Sequence, residues 1–208
     1  MPTRRDFLRS AGAAGAIAAL RPLVDPARAA AASDGPWDLS WLDQLRGKHK
    51  QVFDLGMLGN ERIGPLHIVR NYLAAHREVY GLEFPEINTV VGIAYAAYPL
   101  NAVDAIWQKY GLGERWKVKD PTTGTWAVRN IWADTPAGDP LADETVAAVK
   151  RRGTVFWQCN NALNGVVKEL KATREELIAG LLPGTKLIPA HTMLIGLAQE
   201  HGCTYERV

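Results

Sequence analysis

Two cysteines in 208 residues are too few for a disulfide framework and allow one bridge at most. No run approaches the ~18 apolar residues of a spanning helix, so a soluble mature chain with no membrane span is expected. Charge of one sign is also scarce, since 24 Lys and Arg against 22 Asp and Glu leave only +2. A near-neutral chain lacks the basic field of a nucleic-acid surface. Common catalytic signatures are missing too. Gly59–Gly64 does not end in G-K-[ST], and no G-x-G-x-x-G follows the first apolar strand. There is no C-x-x-C, H-E-x-x-H or G-x-S-x-G. His67, Cys159 and His191 are scattered ligand types without metal-site spacing, so neither metal nor cofactor is expected. What is present, 47% hydrophobic and 22% charged residues, is the composition of a folded domain with a sizeable core.

The N-terminus reads as an address. Arg4 and Arg5 precede an Ala/Gly-rich run from Ala11 to Leu20, and an A-x-A site follows at Ala27-Arg28-Ala29. TRRDFL resembles the twin-arginine export signal, which implies export of an already folded protein to the periplasm or beyond. Residues 1–31 carry five Arg against two Asp, so +3 of the charge lies there and the remainder is at −1. The expected organisation is a leader over 1–31, a Trp-containing lead over 32–47, and one domain over 48–208.

Within that domain strands alternate with helices. Lys50–Met57, Ile87–Tyr95, Thr154–Cys159, Lys186–Ala190 and Cys203–Val208 read as strands, and Ile87–Tyr95 is apolar enough to be buried on both faces. The stripe of Leu66, Val69, Leu73 and Val79 predicts a helix behind Pro65. Further helices are expected over Asn101–Tyr110, Leu141–Arg152, from Asn160, after the Thr173-x-x-Glu176 capping box, and over His191–His201. This alternation predicts a three-layer α/β/α sandwich with a mostly parallel sheet. Residues 113–134 interrupt it and read as a Trp-rich β-hairpin about Pro121–Gly124. Its tryptophans either pack the insertion against the body or form a flap for a partner.

Ligands of parallel α/β sheets bind beyond the carboxyl ends of the strands. The residues expected there are Asn60, Glu61, Arg62 and His67 after the first strand, Tyr95 and Tyr98 after the second, Cys159 and Asn160 after the third, and His191 after the fourth. Cys159 meets a helix N-terminus, whose free N–H groups favour a thiolate, and a neighbouring His191 or Arg62 would lower its pKa further. The alternative is an inert cysteine filling space at a strand end. A parallel final strand would hold Cys159 and Cys203 on the order of 15 Å apart or more, too far for a bridge. An antiparallel one would bring them to the same edge.

Residues 142–208 resemble the DsrE/DsrF-like sulfur-relay family. The likeness lies in Cys159-Asn160-Asn161-Ala162 after an apolar strand, Leu182-Pro183-Gly184 in the middle, and Gly202 with Tyr205 near the end. Asn160 stands where the family has Gly, and Ala162 where it has a hydroxyl residue. Over residues 48–100 the likeness is looser, resting on strand–helix–strand order and the Asn71-Tyr72-Leu73 region. The resemblance implies that Cys159 accepts sulfane sulfur as a persulfide, and the strand-end reading adds His191 and Arg62 in catalytic roles as nearby positive charge. Asn60, Glu61, His67, Tyr95 and Asn160 would then bind substrate. It also implies a small sulfur compound or a sulfur-transfer protein as partner, and a homotrimer or homohexamer. A non-enzymatic ligand- or partner-binding module on the same fold is the alternative.

Overall fold

The computed structural model describes residues 37–58, 64–135 and 138–208. Its centre is a sheet of five strands: β1 (His49–Leu55), β2 (Ile87–Ile93), β3 (Val155–Cys159), β4 (Lys186–Ile188) and β5 (Thr204–Arg207). They lie in the order β4-β3-β2-β1-β5 and every pairing is parallel. All carboxyl ends therefore share one edge. Pro189 follows β4, which is an edge strand, where a missing ladder N–H is tolerated.

Strand side chains alternate between two clusters. Phe53, Leu55, Val91, Ile93 and Phe156 join one, whereas Val52, Val90, Trp157 and Cys159 join the other. The first cluster is covered by α1 (His67–Tyr80), α3 (Asp104–Tyr110), α5 (Val146–Arg151), α6 (Asn160–Leu170) and α7 (Arg174–Ala179). Two four-residue helices, α2 (Tyr98–Asn101) and α4 (Leu112–Arg115), add to that side. The second cluster is covered more thinly, by α8 (His191–Glu200) and a 3-10 turn at Ser40–Gln44 that buries Trp41 and Leu42. Helices thus lie on both faces, and the chain is an α/β sandwich.

Local chemistry sets the helix ends. Gly81 and Gly111 close α1 and α3 in the left-handed region, which glycine adopts without a Cβ penalty. Thr173 caps α7 by accepting the Glu176 N–H at 3.2 Å, as its capping box predicts. Two expected helices are split. The Asn101–Tyr110 segment breaks at Ala102, which extends to bridge Leu181, and Val103 donates to the Gly180 carbonyl. The Leu141–Arg152 segment breaks at Thr145, whose hydroxyl caps a new start at Val146.

Between Lys117 and Val128 the chain doubles back through one antiparallel bridge, Lys119–Trp126. Trp107 and Trp132 pack edge to face at 6.0 Å, and the Trp116 indole donates to the Ala96 carbonyl at 2.8 Å. Asn130 holds this region to the body. Its amide donates to the carbonyls of Pro99, Leu100 and Ala102, at 3.2, 2.9 and 2.8 Å. Asn130→Ala removes this donor from the Leu100 and Ala102 carbonyls, whereas Pro99 keeps the Ala102 N–H and the Trp107 indole. The change is expected to cost about 1–3 kcal/mol, measurable as a lower urea midpoint.

Candidate functional site

Cys159 is the last residue of β3 and the N-cap of α6. Its Sγ accepts the Ala162 N–H at 3.4 Å, standing where an N-cap usually presents oxygen. It also accepts the His191 N–H at 3.3 Å. α8 has no side-chain cap of its own, so its first amide is satisfied by the sulfur of the neighbouring strand end. Two helices, of 11 and 10 residues, thus point their N-termini at one buried thiol, which is 4% exposed. The positive ends of both helix dipoles and two N–H donors converge on that sulfur.

His191 reaches Cys159 through its backbone, whereas its imidazole is engaged elsewhere. The Trp157 indole donates to Nδ1 at 3.0 Å. An indole nitrogen only donates, so Nδ1 carries the lone pair and the ring hydrogen sits on Nε2. Nε2 then donates to Asp54 Oδ1 at 2.7 Å. The Tyr205 hydroxyl donates to the other carboxylate oxygen at 2.8 Å, and this bond to Asp54 pushes the phenol pKa up. Gly92 makes the arrangement possible. It lies opposite Trp157 in register, and a Cβ there would come within 2.5 Å of the Trp157 ring and 2.9 Å of the His191 ring. His191 is therefore a positioning residue whose ring fixes the start of α8.

The other expected site residues divide three ways. Asn160 follows Cys159 in the first turn of α6, and its buried Oδ1 has no hydrogen-bond partner among the described residues. Tyr95 turns away to donate to Glu169 at 2.6 Å, and its ring lies over Gly165 of α6. His67 pairs through Nδ1 with Glu144 at 2.8 Å, alongside Arg70 at 2.5 Å. Asn60, Glu61 and Arg62 lie outside the described residues. Asp54, Trp157 and Tyr205 belong to the site although the strand-end inventory omits them. An Asp in the apolar run KQVFDLGM is the signal for the first.

The Glu144 cluster carries a pH dependence. Burial alone would raise the carboxyl pKa, but the Arg70 guanidinium and the His67 ring outweigh it and hold it below the usual range. A folded-state pKa below the unfolded one contributes stability above the unfolded value and loses it as pH falls through the folded one. Urea midpoints should therefore fall more steeply with acidification in the wild type than in Glu144→Gln, and the two curves should converge in acid.

The strand directions also decide the cysteine pair. β5 runs parallel to β1, so Cys203 sits at the amino-end edge while Cys159 sits at the carboxyl-end edge, and both are free. Burial pushes the Cys203 thiol pKa up, partly opposed by Lys50. Among the described residues no helix is long and apolar enough to cross a membrane.

No family model and no curated protein matches the chain. Among solved structures, a protein of unknown function from Methanobacterium thermoautotrophicum is similar at a TM-score of 0.41 and 15% identity. That alignment covers 77% of this chain and 100% of the other.

Proposed function

We propose that this chain is an exported sulfur-handling protein in which Cys159 accepts and passes on sulfane sulfur. The observation that carries the reading is the convergence of the Ala162 and His191 N–H groups on one sulfur, at 3.4 and 3.3 Å. Such a cradle suits a thiolate and equally the anion of a persulfide. In the loading step the Cys159 thiolate attacks a terminal sulfur of a polysulfide dianion, forming one S–S bond as the donor's own S–S bond breaks. The electron pair leaves with a polysulfide dianion one sulfur shorter, so no external oxidant is needed. A second thiolate attacking the outer sulfur would complete transfer and regenerate Cys159.

His191 enters this chemistry through its backbone amide. Asp54 and Trp157 hold its ring and so hold the amide in place. The resemblance of residues 142–208 to DsrE/DsrF-like proteins supports the same reading, and it extends the proposal to a trimeric or hexameric assembly, measurable by light scattering. The 4% exposure of Cys159 favours a small donor over a bulky one. It also supports the second reading, a binding module with an inert thiol.

Cold cyanolysis separates the two. After polysulfide treatment and desalting, the wild type and Cys203→Ser should each release about one thiocyanate per chain, and Cys159→Ser essentially none. Equal release from all three proteins would remove Cys159 from the reaction. Export is tested separately, since replacing Arg4 and Arg5 by Lys should hold the precursor in the cytoplasm.

A further inference from the structure

A second site lies at the opposite end of the sheet. A cleft of about 150 Å³ is lined by Leu73, Leu82, Glu83, Phe84, Arg151 and Arg152. It sits where α1 and α5 end and where the chain enters β2 and β3, so the length of β3 separates it from Cys159. Three walls are apolar. The Phe84 ring packs on Gly153 (φ +88°), where a Cβ would collide with it, and its other side is exposed.

The charges in the cleft are unbalanced. Glu83 faces Arg77 at 3.7 Å, whereas among the described residues neither Arg151 nor Arg152 has a carboxylate within 4.0 Å. Arg152 is half-buried, and burial together with the nearby Arg77 and Arg70 lowers its pKa, partly opposed by Glu83 and Asp143. A guanidinium kept partly from water and without a directly paired carboxylate gains one from an incoming anion.

We propose that this cleft binds a small monocarboxylate with a short apolar tail, its carboxylate on Arg152 and its tail against Leu73, Leu82 and Phe84. The planar guanidinium pairs with a carboxylate through two parallel hydrogen bonds. A cavity of this size holds one small organic molecule, which suits a three- or four-carbon acid. Phosphate has no tail for the apolar walls and would bring a second charge toward Glu83.

Butyrate is the probe, added to the full chain labelled with ¹⁵N. The Gly153 amide and the Arg152 Nε should shift saturably, with a midpoint in the millimolar range that so few atoms permit. Arg152→Gln should weaken binding by about tenfold or more, through loss of the charge-assisted pair. Arg152→Lys, which keeps a point charge without the planar fork, serves if the Gln variant does not fold, and should weaken binding several-fold. Butyramide should leave both signals unmoved. Non-saturating shifts, an unchanged midpoint in either Arg152 variant, or phosphate binding as tightly as butyrate would overturn the proposal.

Discussion

Trp157→Ala should be among the most destabilising single substitutions in this chain, at about 3–5 kcal/mol. The ring is fully buried, packs against Trp41 at 6.1 Å, and lies over Gly92. Truncation opens a cavity on the face of the sheet that has the thinner cover. It also removes the donor that holds His191 Nδ1. Trp157→Phe separates these effects, because it keeps much of the packing and deletes the indole N–H. In the wild type, ¹⁵N spectra of His191 should show the hydrogen on Nε2. In Trp157→Phe that preference should weaken, and the His191 backbone amide should exchange with solvent faster. A Phe variant with an unchanged His191 spectrum would show that the indole does not set the tautomer.

The second large effect concerns the two thiols. Iodoacetamide should modify Cys159 about tenfold or more faster than Cys203 near neutral pH, because thiolate is the reacting form. Two N–H donors face one sulfur, whereas burial pushes the other thiol up. The two cysteines are about equally hidden, at 4% and 6% exposure, so access alone predicts no such ratio. Rates on Cys159→Ser and Cys203→Ser measure each thiol separately. Matching slow rates would identify Cys159 as a packing residue.

Much of the fold is legible in the residue pattern, because burial on both faces makes parallel strands into short apolar runs set between helical stripes. INTVVGI and VFWQC stand out for that reason, and both are strands. The splits at Ala102 and Thr145 are less legible, since a bridge to Leu181 and a mid-segment cap compete with helical periodicity only once the chain has folded.

At the candidate site, strand-end logic places Cys159, Asn160 and His191 at one edge but does not show where the His191 imidazole goes. Sequence places a histidine near a thiol. It does not tell that Trp157, two residues before Cys159 on the same face, claims the imidazole first. Asp54 and Tyr205 escape the inventory for a related reason. They lie within their strands rather than after them, and only the β1–β5 register brings them together.

The central claim is that Cys159 carries sulfur, and peptide-resolved mass spectrometry tests it most directly. Full-length protein, treated with polysulfide and alkylated without reductant, is predicted to gain about +32 Da on the Cys159 peptide. Reductant should remove the added mass, and the Cys203 peptide should stay unmodified. An unmodified Cys159 peptide, or equal sulfur on both cysteines, would contradict the account.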